Sequence, residues 1–390
     1  MGKGANRLDA ITHQNELLKE QNELLREQIE LLKKSSSQPK DDGREIFIDN
    51  IDRDEMRSGF LVTSHRKKLW NVEIGLINEF ARICKKHNIR WFTIGGTLLG
   101  AARHKGFIPW DDDVDVIMFR PDYEKFKSVI EKELANQSTF RMWYWFNYRL
   151  ESDNEVSQSV DPSLPLISKQ QQNMYPTWAP FYPLIRLVDS RTTFMMNDAR
   201  KNVFYSVWLD ILCLDPCPPF RDKKLQRIFA AACELLFATV FPERIKEAIE
   251  NNKKFSMSPD ALLKFLELPY KAKAQRLEAF LAKHFDKTQH VSEIAYQTIQ
   301  RKGYTYESQD FEDVVYLPFE KIEVPAPVGW ENVLKARYGD WRELVAKWPH
   351  SNEYSTDISY KEYFQSVAKR VPIIQDNRMV GFKINDSEGT

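Results

Sequence analysis

The stretch GGTLLGAARHKGFIPWDDDVDVIMF, residues 95–119, joins a double glycine, a helix-like run, a group of aspartates and an apolar strand. Successive strand residues point to opposite faces of a sheet, so Asp111, Asp113 and Asp115 share one face if the extended backbone already begins at Asp111. Carboxylates gathered on one face raise one another's pKa and destabilise the fold unless a cation neutralises them. The stretch therefore predicts a divalent metal bound by these aspartates.

The expected ligands indicate which metal this is. Carboxylate oxygens suit Mg²⁺ or Mn²⁺, and Mg²⁺ is commonly held by one or two carboxylates together with substrate phosphates. The glycine pair Gly95 and Gly96 ends a strand and opens a helix, where unpaired N–H groups and the helix dipole favour an anion. Arg103 and Lys105, with His104 between them, add positive charge one or two turns later. We therefore expect a phosphorylated donor at this turn.

A third carboxylate is expected from a later strand to complete the metal site. Asp210, in the stretch YSVWLDILCL, is flanked by apolar residues, among which an unpaired charge is costly. Burial there implies compensation, so we predict Asp210 as the third ligand. The alternative is that Asp210 caps a turn or begins a helix, positions that suit aspartate.

Composition excludes several classes of protein. The 390 residues carry 56 basic and 56 acidic side chains, so the formal net charge is zero and no nucleic-acid partner is expected. The cysteines form no C-x-x-C pair and have no neighbouring histidine cluster, so we expect reduced thiols rather than a zinc site or disulfides. They are Cys84, Cys213, Cys217 and Cys233.

The sequence also predicts a location. The N-terminus lacks the apolar core of a signal peptide, and the longest apolar run, 228–241, is interrupted by Glu234 and is too short to span a bilayer. We expect a cytoplasmic protein without a transmembrane helix, and peripheral association with a membrane stays open.

The N-terminal segment repeats a heptad. Residues 14–34 read QNELLKEQNELLREQIELLKK, and residues 8–32 place leucine, isoleucine or asparagine at both seam positions of a coiled coil. We predict a homodimer through residues 8–32, because a single helix of this length is marginal in water. A solitary amphipathic helix, or one that binds another partner, is the alternative.

Changes in pattern divide the chain into segments. We predict a coiled-coil helix over 1–34, a linker over 35–60, a catalytic core over 61–220, a helical subdomain over 221–302 and a C-terminal part of the catalytic domain over 303–390. The mixture of helical and strand patterns predicts an α+β (α/β-like) fold.

Apolar spacing also predicts the elements around the aspartates. Helices are expected over 69–87, ended by Asn88, over 97–104, and over 122–135, capped by Asp122. Strands are expected over 89–94, 114–119, 141–150, 179–194 and 207–216, and a surface loop over 151–172.

Three blocks of the sequence carry a family resemblance. They are GGTLLGAARHKGFIPWDDDVDV (95–116), YPLIRLVDSRTT (182–193) followed by VWLDILCLDP (207–216), and YLPFEKIEVPAPVGWENVLKARYGDW (316–341). In this order, across roughly residues 65–345, the chain resembles the LicD and fukutin-like phosphotransferases of the nucleotidyltransferase superfamily. The resemblance implies a nucleotidyltransferase fold, in which helices flank a mixed sheet.

The resemblance also implies a reaction. A phospho-group similar to phosphocholine or ribitol phosphate would pass from a CDP-linked donor to a hydroxyl of a glycan, glycoconjugate or lipid-linked glycan, and CMP would leave. The implied partners are thus a small CDP-linked donor and a glycan acceptor, with Mg²⁺ or Mn²⁺ as the cofactor.

Residue by residue, the resemblance implies catalytic roles for three aspartates. Asp113 and Asp115 match the family's paired metal ligands, and Asp210 matches the third carboxylate, which would act through the metal or as a base. Asp111 matches a further acidic position at the metal. Thr97 extends the glycine pair into a turn that matches the superfamily's phosphate-facing turn.

Some features of the sequence differ from the family, and for others the resemblance implies no role. Many eukaryotic members begin with a membrane anchor, where this chain has heptads, and residues 222–302 match no motif that would name the acceptor. Tyr338, Gly339 and Asp340 match a closing signature to which we assign a structural role.

Two other functions stay open. A metal-dependent glycosyltransferase also grips a nucleotide sugar through an Asp-x-Asp pair, although the glycine turn and Asp210 favour phosphotransfer. Outside enzymes, the alternative is a scaffold that dimerises through residues 8–32 and has an inert core.

Overall fold

The computed structural model describes residues 44–137, 139–144, 149–150, 166–167, 185–198, 201–216, 222–240, 242–283, 290–293, 304–344, 353–356, 370–375 and 378–384. By its internal contacts the chain divides into two units. The main unit comprises 45–190 and 207–350, and the small unit comprises 1–44, 191–206 and 351–390. The predicted coiled coil lies outside the described residues, as do Cys217 and most of the predicted loop 151–172.

The described helices belong to the main unit. They are α1 (Ser64–Lys86), α2 (Gly95–His104), α3 (Arg120–Leu134), α4 (Lys223–Val240), α5 (Pro242–Glu250), α6 (Pro259–Leu266), α7 (Tyr270–Lys283) and α8 (Trp330–Tyr338). Helix α1 begins after Thr63, whose hydroxyl accepts a hydrogen bond from the Arg66 N–H at 3.2 Å. It ends where Asn88 takes a left-handed conformation with φ 51°, as the sequence predicted.

The described strands are short except for two long neighbours, β8 and β9. In chain order they are β1 (Glu55–Arg57), β2 (Phe60–Val62), β3 (Phe92–Thr93), β4 (Asp115–Phe119), β5 (Phe140–Tyr144), β6 (Arg149–Leu150), β7 (Leu166–Ile167), β8 (Ile185–Asp198), β9 (Lys201–Pro216), β10 (His290–Ser292), β11 (Tyr306–Glu307), β12 (Val314–Phe319), β13 (Ile322–Pro327), β14 (Glu353–Ser355), β15 (Arg370–Gln375) and β16 (Arg378–Ile384).

The central sheet is mixed. Its strand order is β11–β10–β9–β4–β3, and β4 runs parallel to β9, with Asp115 opposite Asp210. Strand β3 is antiparallel to β4, and β10 is antiparallel to β9. Strand β5 pairs antiparallel with β8, which pairs with β9. Helices α2 and α3 pack on β4. The predicted mixed sheet flanked by helices is confirmed, whereas the nucleotidyltransferase fold stays a prediction.

Strand β4 is covered on both faces. Val116, Ile117 and Met118 are each fully buried, a pattern typical of a central strand in a sheet with two packed sides. On one side Ile117 joins a core that includes Phe92 and Leu98. Because the strand is enclosed along its length, the polar residue at its start, Asp115, lies at the margin of this core.

The helices α4 to α7 form a core of their own. Apolar side chains from all four helices pack together, among them Leu235, Ile245, Leu262 and Leu277. The sequence predicted this region as a helical subdomain over 221–302, but β10 at His290–Ser292 belongs to the central sheet. The predicted helical segment is therefore wrong at its C-terminal end, where His290–Ser292 pairs with β9 and β11.

Other expected boundaries also shift. The predicted linker 35–60 extends too far, because Ile48 is buried and β1 and β2 pair as a hairpin. The helix expected to begin at Asp122 begins at Arg120, with proline in its first turn. Asp122 instead accepts a hydrogen bond from the Arg90 N–H at 3.3 Å. Leu166–Ile167, expected in a loop, pairs with β6.

The small unit is built from strands in its described part. Strand β14 pairs antiparallel with residues 193–195 of β8, where Tyr354 stacks on Phe194 with ring centroids 6.0 Å apart. Strands β15 and β16 form a separate antiparallel pair. Across the described residues of the whole chain, no helix combines the length and the apolar character that a membrane span requires.

The packing around helix α2 generates a testable contrast between two glycines. A Cβ on Gly100 would collide with the backbone oxygen of Gly106 and approach the Ile108 nitrogen at 3.2 Å, whereas a Cβ on Gly75 would meet nothing within 4 Å. Gly100→Ala should lower the free energy of unfolding by about 1–3 kcal/mol. Gly75→Ala in α1 should raise it by about 0.5–1 kcal/mol. Urea denaturation measures both, and equal effects would contradict this account of the packing.

Candidate functional site

Two of the predicted aspartates face each other across neighbouring strands. Asp115 opens β4, and Asp210 is its partner in the parallel pairing with β9. The Asp210 N–H donates to the Val114 carbonyl at 2.9 Å, which ties the two strands together at this level. Because Asp210 lies inside β9, the alternative that it caps a turn or a helix is wrong.

The other aspartates lie in the loop before β4. The strand begins only at Asp115, so the expected alternation of Asp111, Asp113 and Asp115 along one strand face is wrong. Donor atoms of Asp111, Asp112 and Asp113 instead lie within 4.8 Å of one another. The structure thus adds Asp112, which is 3% exposed, to the predicted set.

Helix α1 holds this aspartate loop by its backbone. Arg66 donates from Nη1 to the Asp111 carbonyl oxygen at 2.7 Å, and Trp70 donates from Nε1 to the same oxygen at 3.0 Å. Both donors fix the backbone at Asp111, whose carboxylate lies with those of Asp112 and Asp113. Strand β4 is held in a similar way, because the Asp115 N–H donates to the Thr97 hydroxyl at 2.8 Å.

The glycine pair lets helix α2 approach the acids. Gly95 has φ +60°, a conformation that glycine tolerates best, and a Cβ there would lie 2.5 Å from Asp115 Oδ2. A Cβ on Gly96 would collide with Asp111 Oδ2. Within the part of the chain that the structure describes, no side chain caps the start of α2, so its N-terminal N–H groups face this region and favour negative charge.

Asp210 has a cationic partner within the protein. Arg186, on β8, donates from Nε to Asp210 Oδ1 at 2.6 Å, and both side chains are about nine-tenths buried. The guanidinium also lies over the Trp208 ring, 4.4 Å from its centroid. The compensation that burial of Asp210 implied is therefore supplied by an arginine as well as by any bound metal.

A second cation reaches the glycine turn from the C-terminal block. Arg337, at the end of α8, donates from Nη1 to both oxygens of Glu293, at 2.9 and 3.1 Å. The Glu293 side chain is fully buried and accepts hydrogen bonds from the hydroxyls of Tyr304 and Tyr306. The Arg337 charge lowers the pKa of Asp115, against the stronger effects of burial and Asp210.

Negative charge nevertheless dominates the site. Burial, followed by Asp210, raises the pKa of Asp115 to about 8. Burial also raises the pKa of Asp113 well above its usual range, and its neighbouring acids, Asp111 first, add to that increase. On α1, burial and then Asp112 raise the pKa of Glu73 in the same direction.

Arg103 and Lys105 are not brought to the glycine turn. Because α2 rises about 1.5 Å per residue, these side chains begin about 12–15 Å further along the helix. Arg103 donates to the carbonyl oxygens of Trp341 and Glu343, at 3.3 and 3.1 Å. Burial and the adjacent Arg103 lower the pKa of His104 to about 4, so it is a neutral packing residue. Helix geometry therefore separates Arg103 and Lys105 from the glycine turn, and their contact with a donor stays a prediction.

The residues present fit a divalent cation such as Mg²⁺ or Mn²⁺. The donor set consists of carboxylate oxygens, which suit these metals. One carboxylate oxygen of Glu73 is buried and has no hydrogen-bond partner among the described residues, although Glu73 is only 1% exposed. The influences that raise the pKa of Asp113 are burial and other acids. A cation among the acids would bind the unpaired oxygen of Glu73 and offset the repulsion around Asp113.

Comparison with known proteins matches part of the chain to a family model. A family model described as the LicD/FKTN/FKRP nucleotidyltransferase domain matches residues 88–212. The lipopolysaccharide cholinephosphotransferase LicD of Haemophilus influenzae is 48% identical over 56 residues, which is 14% of this chain and 21% of that protein. The chain carries a LicD-family domain. Over these residues, the predicted resemblance to the LicD family is confirmed.

Two further relatives match a similar length. Uncharacterized proteins of Rickettsia typhi and Rickettsia prowazekii are 38% identical over 55 residues and 43% identical over 47 residues. These matches cover 14% and 12% of the chain, and each spans 18% of the relative. The chain therefore matches about a fifth of the length of these curated relatives.

Sequence reasoning missed the residues that reach the site from distant elements. Arg186 lies within the LicD domain, and an arginine inside the apolar run IRLV was a signal for a buried acidic partner. Glu293 and Arg337 are 44 residues apart and lie outside the matched segment. No local spacing relates them to Asp115, so their contribution follows only from the tertiary structure.

The electrostatics predict how stability depends on pH. The pKa of Asp115 is about 8 in the fold and about 3.9 in an unfolded chain. The folded state therefore binds more protons between these values, and stability falls as pH rises from about 4 to about 8. In EDTA, the gain in Tm produced by Asp115→Asn should grow between pH 5 and pH 8. Added Mg²⁺ should raise the Tm of the wild type more at pH 8 than at pH 6.

Thermal unfolding across this pH range measures both effects. Asp260→Asn, an exchange at an exposed acid of α6, serves as the control and should leave the pH profile unchanged. A gain from Asp115→Asn that shrinks toward pH 8 would contradict the assigned direction of the pKa shift.

Proposed function

We propose that this protein is a metal-dependent phosphotransferase that moves a phospho-group from a CDP-linked donor to a hydroxyl of a glycan or glycoconjugate. One observation carries the proposal. Within a LicD-family domain, Asp115 lies opposite Asp210 on adjacent parallel strands, beside the uncapped start of helix α2. Acids and helix N–H groups at one place can serve a metal and a phosphate together.

Each part of the site has a role in this proposal. Asp113, Asp115 and Asp210, with Asp111, would hold Mg²⁺ or Mn²⁺, which when bound neutralises phosphate charge and lowers the pKa of a hydroxyl. The N–H groups at the start of α2 bind phosphate oxygens, and the glycines keep that approach open. Phosphoryl transfer depends mainly on positioning and electrostatic stabilisation, which such an arrangement provides.

The ion pair with Arg186 refines the role of Asp210. A carboxylate held through one oxygen at 2.6 Å by a buried guanidinium has a restricted orientation. We therefore assign Asp210 to binding the metal, rather than to taking the proton from the acceptor hydroxyl.

The relative from Haemophilus influenzae supports the choice of transferred group. Its name describes a cholinephosphotransferase for lipopolysaccharide, so phosphocholine and a glycolipid acceptor are the first pair to test. Ribitol phosphate is the second group, because the resemblance in the three sequence blocks includes fukutin-like proteins. CMP release from CDP-choline or CDP-ribitol, with lipopolysaccharide or an oligosaccharide as acceptor, measures the activity.

Asp113→Asn tests the role of the aspartate loop. The variant should lower transfer by about 10²–10³-fold or more, because a charged group that stabilises the transition state is lost. It should fold with unchanged or higher Tm in EDTA, since it removes a carboxylate whose pKa burial and neighbouring acids raise. Asp260→Asn is the matched exchange away from the site and should keep full activity.

The products decide between the proposed reaction and its rivals. A phosphodiester linkage in the product supports phosphotransfer, and a glycosidic bond would identify a glycosyltransferase instead. If Asp113→Asn transfers the phospho-group at the wild-type rate, Asp113 is not part of the catalytic site and the assignment of the aspartate loop fails. If neither CMP nor CDP shifts the Tm of the wild type in millimolar Mg²⁺, the inert scaffold is favoured.

A further inference from the structure

We propose that Arg337 binds a phosphate of the donor at the Gly95–Gly96 turn, and that Glu293 is the residue that positions it. The inference rests on the proposed function and deepens it, because it names a cation for the donor that lies outside the matched LicD domain. It also replaces Arg103 and Lys105, which the sequence had suggested for this role.

The first observation is the place of the Arg337 guanidinium. Its Nη2 lies 3.5 Å from the point that a Cβ on Gly95 would occupy, and Asp115 Oδ2 lies 2.5 Å from the same point. The cation is therefore beside the turn and beside a predicted metal ligand. Its side chain is only 10% exposed, so it is part of the site's wall rather than a surface group.

The second observation is the unequal use of its two terminal nitrogens. Nη1 donates to both oxygens of Glu293. Among the described residues, the bonds from Arg337 to Glu293 leave from Nη1, the Tyr306 side chain also interacts with the guanidinium, and no ion pair joins Arg337 to the neighbouring Asp115. A buried guanidinium with Nη1 anchored on Glu293 and Nη2 beside the turn is placed to bind an incoming oxyanion.

The third observation is how rigidly this cation is held. Glu293 is fixed by the hydroxyls of Tyr304 and Tyr306, at 3.2 and 3.0 Å. The guanidinium also lies over the rings of Tyr304 and Tyr338, 5.3 and 5.8 Å from their centroids. An arginine that is oriented before the ligand arrives loses little freedom on binding.

The charge of the site indicates why such a cation is needed. A diphosphate must enter beside several acids, among which burial and then the neighbouring carboxylates already raise the pKa of Asp113. Arg186 is bonded to Asp210, and Arg66 is bonded to the Asp111 carbonyl. Nη2 of Arg337 lies beside the glycine turn. The N-terminus of helix α2 also favours an anion at this place.

Binding of three probes to the full chain in Mg²⁺ tests the inference. The probes are cytidine, CMP and CDP, which differ in the number of phosphates, and calorimetric titration gives each affinity. Arg337→Gln should weaken CDP binding by about 10–100-fold, the range for losing a charge-assisted hydrogen bond. Cytidine binding should not change. Arg342→Gln, at an exposed arginine paired with exposed Glu331, is the control and should bind CDP as the wild type does.

A second set of variants separates binding from folding. Because Arg337→Gln leaves Glu293 buried without its partner, the double variant Arg337→Gln with Glu293→Gln removes both charges and keeps the contacts to the tyrosines. It should show the same loss of CDP affinity. Arg337→Lys should recover part of that affinity through its charge. Glu293→Gln alone should weaken CDP binding less than Arg337→Gln and leave cytidine binding unchanged.

The outcomes for the two proposals differ. If the wild type binds CDP and the double variant binds it equally well, the role of Arg337 is overturned and the proposed function is untouched. If the variants weaken cytidine and CDP equally, the role is also overturned, because the effect does not depend on phosphate. If the wild type binds none of the three probes, the proposed function itself fails.

Discussion

The repulsion among the acids at the start of β4 is the constraint on which the rest of the site depends. Asp113 and Asp115 are partly buried and lie close to further carboxylates, so water screens their charges only in part. Such a group is stable only if the fold supplies opposite charge or leaves some acids protonated. The main unit does both, because arginines from β8 and α8 approach the acids while the pKa of Asp115 stays raised.

The architecture makes this concentration of charge possible. Parallel pairing of β4 and β9 sets Asp115 directly opposite Asp210. The apolar remainder of β4 is enclosed on both faces, so the strand cannot slide or turn its acidic end away without exposing Ile117 and its neighbours. The two glycines allow α2 to begin close enough to the acids for its positive end to act on them.

The cations extend the site beyond the segment that the LicD family model matches. Arg186 lies within residues 88–212, but Glu293 and Arg337 follow it in the chain. The C-terminal block is thus part of the same arrangement as the aspartates, through α8 and its contacts with α2. Arg337 belongs to the closing sequence block and precedes Tyr338 and Gly339, which were assigned a structural role. This block therefore also has a direct electrostatic effect on the site.

Much of the site was predictable because its parts are local in sequence. The glycine turn, the aspartate loop and β4 occupy one stretch of 25 residues, 95–119, in which spacing alone restricts the geometry. An aspartate inside an apolar strand indicated that Asp210 is buried and compensated. The fold class followed for the same reason, since hydrophobic periodicity reports helices and strands directly.

The sequence could not determine which residues that are distant along the chain lie close together in space. Alternation along a strand predicted that Asp111 and Asp113 lie on one strand face without Asp112. Strand β4 instead starts at Asp115, and Asp112 joins Asp111 and Asp113 in the loop before it. Arg103 was near in sequence yet is a helix length away, and Arg337 was distant yet is adjacent. Charges act through space, so the sequence determined where the acids are, and only the tertiary structure decided which cations compensate them.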